Sequence, residues 1–299
     1  REINPETNEE EGIAAQVFDN EDFGYYKVTI ERPNRLKAQF TEERVQALRY
    51  DNYLEEAMRW AYQEFGDELY TDLKKHKSAI LEWVEKEEVD LTKNQRGKLV
   101  KKSTWQKQLK VLKAARILMD EIGTEEYNDF NRFRDEVEQV LKAKGQKLTA
   151  SEKRLLFDAV TWYDPEAKKV IKKTTRLTGK KLEKLLDHLG CTEEQLPDYG
   201  YYPTDKPGRY IEYDTATHLR DTENVPLKDE VHAYFLREVK PHVAEAWIDL
   251  DKTKIGYEIS FNKYFYRHKP LRDIEEVAED ILELEEKSEG LIHEILRLA

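Results

Sequence analysis

Asp129-Phe130-Asn131-Arg132-Phe133-Arg134-Asp135-Glu136-Val137-Glu138-Gln139-Val140 decides how this chain is read. Phe130, Phe133, Val137 and Val140 stand three and four apart with charged residues between them. That is the period of a helix with one apolar face. Tyr127 extends the row on its N-terminal side. The same period recurs upstream: Trp105, Leu109, Leu112 and Leu118 mark one helix, and Leu73, Ile80, Leu81 and Val84 another. Val45, Leu48, Met58, Ala61 and Phe65 fall on roughly one face, behind Thr41 as N-cap with Glu42 and Glu43 in the first turn. Gly66, Gly97, Gly123 and Gly145 sit near the expected joints. The spacing therefore predicts an all-helical block from Thr41 to about Lys142, with short connections and near-antiparallel neighbours.

Working outward, Ser151 to Tyr163 reads as a further short helix. Tyr25 to Glu31 alternates and is rich in β-branched and aromatic residues, as a strand does, and Arg32-Pro33-Asn34 stops it. Lys169 to Leu177 and Arg209 to Tyr213 are further strands, and Ile255 to Ile259 alternates like one. Lys180 to Leu189 is a helix closed by Gly190. The expected fold is mainly α: a helical bundle block with a small β component and a C-terminal heptad, coiled-coil-like helix. Five stretches follow from this: an acidic tether over 1–21, a strand-containing lead-in over 22–40, the helical block over 41–165, a small α+β segment over 166–224, and a partner-docking tail over 225–299.

The 299 residues are 39% hydrophobic and 37% charged, with a net charge of −12. An acidic total argues against a general nucleic-acid coat, yet leaves room for local basic sites. One cysteine, Cys191, excludes an internal disulfide and a cysteine-rich zinc site, and fits a reducing compartment. No stretch is apolar enough to span a bilayer and no signal-like start is present, so the expected location is cytoplasmic, without a membrane partner. The chain opens Arg1-Glu2-Ile3-Asn4-Pro5 rather than with methionine, which reads as a piece of a longer protein or a processed one.

Several chemistries lack their motifs. No Gly-x-Gly occurs, hence no dinucleotide fingerprint and no glycine-rich methyl-donor loop; there is no P-loop and no Gly-x-Ser-x-Gly elbow. His232 and His242 have no ligand-spaced Cys or His beside them. Cys191, following a helix end, is expected to have at most a mildly depressed pKa. Asp229 with Glu238-Val239-Lys240 has the residue types of a magnesium nuclease, a match that so charged a chain yields by chance. No catalytic, cofactor-binding or metal residue is assigned.

Two basic islands stand out against the acidic total. Between Asp90 and Asp120 there is no acid and there are nine cations. Lys93, Arg96, Lys98, Lys101, Lys102 and Lys107 are taken as candidate DNA contacts, with Lys98, Lys101 and Lys102 expected in a loop beside Gly97. Lys110, Lys113 and Arg116 complete the run, and Trp105 sits among them. From Lys168 to Lys184 a second island is broken by Glu183 alone, and Lys172, Lys173 and Arg176 are its candidates. A solvated face paired with the chain's many acids would carry the same residues.

The tail carries the other signal. Ile274, Val277, Ile281, Leu284, Leu291, Ile295 and Leu298 repeat in heptads, with Ser288 the polar member of the seam. Leu271 to Ala299 holds ten acids against three bases. So short a seam needs a partner, in cis or in trans, and its one-sided acidity disfavours pairing with its own copy. A plain amphipathic helix folded on this chain would show the same pattern.

Phe23-Gly24-Tyr25-Tyr26-Lys27-Val28-Thr29-Ile30-Glu31-Arg32-Pro33 resembles a segment of the modification (M) subunits of type I restriction–modification systems. So do Leu219 to Lys228, Val239-Lys240-Pro241-His242-Val243 through Ala246-Trp247-Ile248, Lys254 to Ile259, and Phe261 to Phe265. The match covers the two ends of the chain. It implies a parent that is an S-adenosylmethionine-dependent DNA adenine-N6 methyltransferase, with duplex DNA and the specificity (S) subunit as partners. The parent's catalytic Asn-Pro-Pro-Phe or Tyr is not here, since Asn4-Pro5 is followed by Glu6. The chain would then be the non-catalytic C-terminal region, holding no cofactor itself and docking on the specificity subunit through the heptad. The alternatives are an autonomous helical scaffold or homo-oligomerisation module and, last, the magnesium nuclease.

Overall fold

The computed structural model describes residues 2–3, 10–11, 19–258 and 273–298, and the chain is mainly α. By contact it divides into two units, Tyr26–Ile255 and Arg1–Tyr25 together with Gly256–Ala299.

In the larger unit the predicted helical block is present, in more pieces than its periodicity suggested. Following β1 (Glu2–Ile3), β2 (Glu10–Glu11), α1 (Asn20–Phe23), β3 (Gly24–Glu31) and β4 (Leu36–Ala38) come α2 (Glu42–Ala47), α3 (Glu55–Phe65) and α4 (Glu68–Thr71). Then follow α5 (Leu73–Lys86), α6 (Lys93–Leu99), α7 (Lys102–Ile122), α8 (Phe130–Ala143) and α9 (Ala150–Val160). Thr41 caps α2, its side chain accepting from the Arg44 amide at 3.2 Å. The expected single helix from Val45 to Phe65 breaks between α2 and α3, where tight turns close on the Asp51 carbonyl and carboxylate. Gly97 is a correction: it lies inside α6, begun by a capping box between Thr92 and Gln95, and not in a loop. The true joint is Val100–Lys101.

α7 is the strut of the block. Its N-terminal Trp105 belongs to a core with Leu54, Met58, Leu69, Ile80 and Leu99. Val111 to Leu118 belong to another with Phe40, Val45, Phe133, Val137 and Leu156. Trp105 is fully buried and its indole N–H donates to the Leu99 carbonyl at 2.8 Å, which ties α6 to α7.

The remaining elements are β5 (Thr161–Tyr163), β6 (Ile171–Arg176), α10 (Lys180–Leu189), β7 (Tyr202–Pro203), β8 (Arg209–Tyr213), β9 (Asp221–Pro226), α11 (Val231–Tyr234) and β10 (Trp247–Tyr257). Ser151 to Tyr163 is thus a helix followed by a strand, not one helix. β6, β8 and β7 form a sheet in that order, with a bulge near Lys172. α10 and the turn at Leu196 pack on it through Leu177, Leu196 and Tyr210. Gly190 ends α10 in the left-handed conformation, φ 63°, as predicted.

Residues 24–40 work as a spine. β3 lies between β9 and β10. Pro33 bridges Thr215, Arg35 bridges Lys169, β4 pairs antiparallel with β5, and Ala38 bridges Tyr127. The expected lead-in therefore touches every other part of the larger unit. Residues 225–255, read as the start of the tail, also lie in that unit: Val225, Phe235, Val239, Ala246 and Ile248 share a core with Val28 and Ile30.

Charge binds the same junction. Glu31, fully buried, accepts from Arg220 Nε at 2.7 Å and Lys252 Nζ at 2.7 Å, so one carboxylate links β3 to both its neighbours. Glu245 takes Arg35 at 2.6 Å and Lys169 at 2.9 Å. Asp198 takes His232 at 2.9 Å and Lys240 at 2.8 Å. A π-helical turn over Phe235–Val239 rotates Lys240 onto the face that carries His232.

In the smaller unit the Glu258 amide donates to the Phe23 carbonyl at 2.9 Å. Gly256 lies against Tyr25, where a Cβ would meet the ring at 2.6 Å. β1 and β2 pair antiparallel within the stretch read as a tether. The last helix, α12, runs Ile274–Leu298.

Candidate nucleic-acid interface

α6 and α7 carry the first basic island on their outer faces. α7 buries Trp105, Gln108, Val111, Leu112, Ala114, Ala115 and Leu118. That leaves Lys107, Lys110, Lys113 and Arg116, each three residues on, in a row along the helix that advances about 1.5 Å per residue. Three of the island's nine cations have partners in the chain. Arg96 meets Glu85 at 3.6 Å and the Leu91 carbonyl at 3.1 Å, Lys102 donates to the Thr71 carbonyl at 2.7 Å, and Lys110 meets Glu152 at 2.7 Å. Burial would raise the Glu152 carboxyl, but hydrogen bonds from Lys110 and Thr149 outweigh it and hold it below the ordinary range.

The side chains of Lys93, Lys98, Lys101, Lys107, Lys113 and Arg116 have no ion pair or hydrogen bond among the described residues. In a chain with 62 acids, six unpaired cations within 24 residues are not a by-product of general pairing. Lys113 and Arg116 belong with the candidates; their three-residue spacing after Lys107 and Lys110 was the available signal. Trp105 does not join them, because its ring is core.

The second island is more committed to the fold. Lys168 meets Asp129 at 3.1 Å, Lys169 meets Glu245, and Lys173 meets Glu212 at 3.1 Å. Of its three candidates, Lys173 is thus neutralised on β6, while Lys172 and Arg176 are exposed and without partners among the described residues. Arg176 stands directly opposite Arg209 across the β6–β8 ladder, a like-charge pairing that a phosphate would relieve.

On α12 the first heptad positions are exposed: Ile274 by 83%, Val277 by 37%, Ile281 by 58% and Leu284 by 65%. Leu291, Ile295 and Leu298 lie on the same helix, and their side chains fall outside the described residues.

The nuclease pattern is drawn apart by its neighbours. Arg237 engages both Asp229 at 3.4 Å and Glu238 at 2.7 Å, and Lys240 is turned to Asp198. Cys191 is an ordinary cysteine past a helix end: it follows the left-handed Gly190, its amide donates to the Leu186 carbonyl, and burial pushes its pKa up. Comparison with known proteins adds no likeness. No family model, curated protein or solved structure matches this chain.

Proposed function

We propose that this chain is the non-catalytic assembly and DNA-clasping region of a type I restriction–modification M subunit. α6 and α7 contact the phosphate backbone of duplex DNA, and α12 docks on the helices of the specificity subunit. The observation that carries the reading is the set of six unpaired cations on α6 and α7. Unpaired surface cations gain little from their own fold, whereas phosphates displace counterions and reward them. The segments that resemble the M subunits support the family reading, since 23–33, 219–228 and 239–248 each contribute to one three-stranded sheet. S-adenosylmethionine and the target adenine belong to the parent's catalytic domain under this reading.

Duplex DNA titrated with the chain at several salt concentrations tests it. Binding is expected with a log–log salt slope no steeper than about −5, the limit for six phosphate contacts. No affinity at low salt would overturn the DNA contact. The exposed seam on α12 also favours a second reading, self-association. Light scattering separates the two: a dimer abolished by Ile281→Asp with Leu284→Asp supports self-pairing, and a monomer that binds a purified specificity subunit supports docking.

A further inference from the structure

Gln108 is the polar exception in the buried stripe of α7. Its side chain is 2% exposed, yet its amide has no hydrogen-bond partner among the described residues. Both amide atoms keep contact with open space, since neither is among the fully enclosed atoms without partners. That space is a cavity of about 420 Å³ between α2, α7 and α9, walled by Leu48, Leu155 and Ala159, with Asn52 and Arg44 at its edge. A buried amide is normally satisfied within the protein. Here the fold brings a free donor and a free acceptor to a cleft of ligand size lined by both apolar and polar side chains.

The surroundings define the chemistry. Arg44 is already used: its guanidinium stacks 4.1 Å over Trp162 and donates to the Gln39 carbonyl at 3.3 Å. Glu43, also at the cavity, carries the opposite charge. An anionic ligand would meet the charge of Glu43 and a cationic one that of Arg44, so the two together favour a ligand without net charge. A carboxamide supplies N–H donors beside a carbonyl acceptor, and pairs best with an edge offering the reverse. A flat neutral heterocycle with adjacent donor and acceptor meets that need, and the adenine edge, with its amino group beside a ring nitrogen, is the simplest case.

We propose that the α2–α7–α9 cavity binds a neutral planar ligand through the amide of Gln108, of the chemical class of a nucleobase or a small aromatic carboxamide. This does not rest on the phosphate-binding reading, which concerns the opposite face of α7.

The test uses the full chain with adenosine, purine riboside and nicotinamide, followed by ligand-observed NMR. Adenosine is expected to bind, with about tenfold or greater loss for Gln108→Leu and for purine riboside, which lacks the amino donor. The two losses should not add. Nicotinamide binding with the same dependence on Gln108 would support the carboxamide source. Absence of all binding at millimolar concentration would overturn the proposal, as would affinities unchanged in Gln108→Leu. Thermal unfolding checks that the variant is folded, and the loss with purine riboside on the unaltered chain decides the matter if it is not. DNA affinity measured alongside separates this site from the α6–α7 surface.

Discussion

The outer face of α7 and the junction around β3 use charge in opposite ways. At the junction Glu31 and Glu245 each bind two cations, Asp198 binds Lys240 and His232, and the contacts tie segments far apart in sequence. On α6, α7 and the joint between them six cations have no side-chain partner among the described residues. The first arrangement is a fastening; the second leaves positive potential for something outside the chain. The comparison shows why net charge is a poor guide to partners: −12 overall conceals a region where every charge is of one sign and six of the nine are without a side-chain partner among the described residues.

Removing Glu31 should break the fastening. Glu31→Ala leaves Arg220 and Lys252 without their shared carboxylate and should cost about 3 kcal/mol, read from denaturant unfolding. A cost near zero would mean that the half-exposed cations rehydrate freely and the junction is held by its apolar core alone. The reverse experiment is Lys107→Ala with Lys113→Ala and Arg116→Ala. Stability should be unchanged, while the salt slope of DNA binding should fall by about 3. A large loss of stability would remove the contrast between the two regions.

Acid should weaken the junction and leave the unpaired lysines and arginine of α6 and α7 charged. Burial opposes ionisation of Asp198 and Glu245, but hydrogen bonds from Lys240 and His232, and from Arg35 and Lys169, hold both carboxyls below their usual range. A carboxyl whose folded pKa is depressed contributes fully above its unfolded value and loses that contribution as pH falls through the folded one. The unfolding midpoint should therefore drop below about pH 4, with Asp198→Asn flattening the decline. The smallest expected effect is at Tyr202, whose buried hydroxyl has no partner and whose ring lies 4.9 Å from Tyr213 and 6.3 Å from Trp247. Tyr202→Phe keeps those ring contacts and should leave stability unchanged or raise it by up to about 1 kcal/mol.

The helices were legible because their signal is local. Phe130, Phe133 and Val137 announce α8 by spacing, and Thr41, Thr92 and Thr149 announce starts by their own hydroxyls. Gly97 misled because glycine usually ends helices; here one residue's penalty of about 1 kcal/mol is outweighed by a capping box before it and the buried Leu99 after it. Tyr25 to Glu31 was legible as a strand, but its neighbours β9 and β10 were not. Pairing depends on residues about two hundred positions away, and no local pattern names them. The basic islands were visible as composition, whereas their pairing was not: Lys173 and Lys172 are adjacent, yet only the first has an acid across the ladder. Gln108 was missed outright. The signal was a polar residue at a position where Trp105, Leu112 and Ala115 demand an apolar one.

The spine has a consequence for synthesis on the ribosome. β3 emerges early, but the strands that flank it are β9 and β10, beginning at Asp221 and Trp247. At ordinary elongation rates of ~5–20 residues per second, Tyr25 to Glu31 waits roughly 10–40 s with both edges unpaired. During that interval a β-prone segment rich in tyrosine, valine and isoleucine is open to any chaperone or neighbouring nascent chain that offers it an edge.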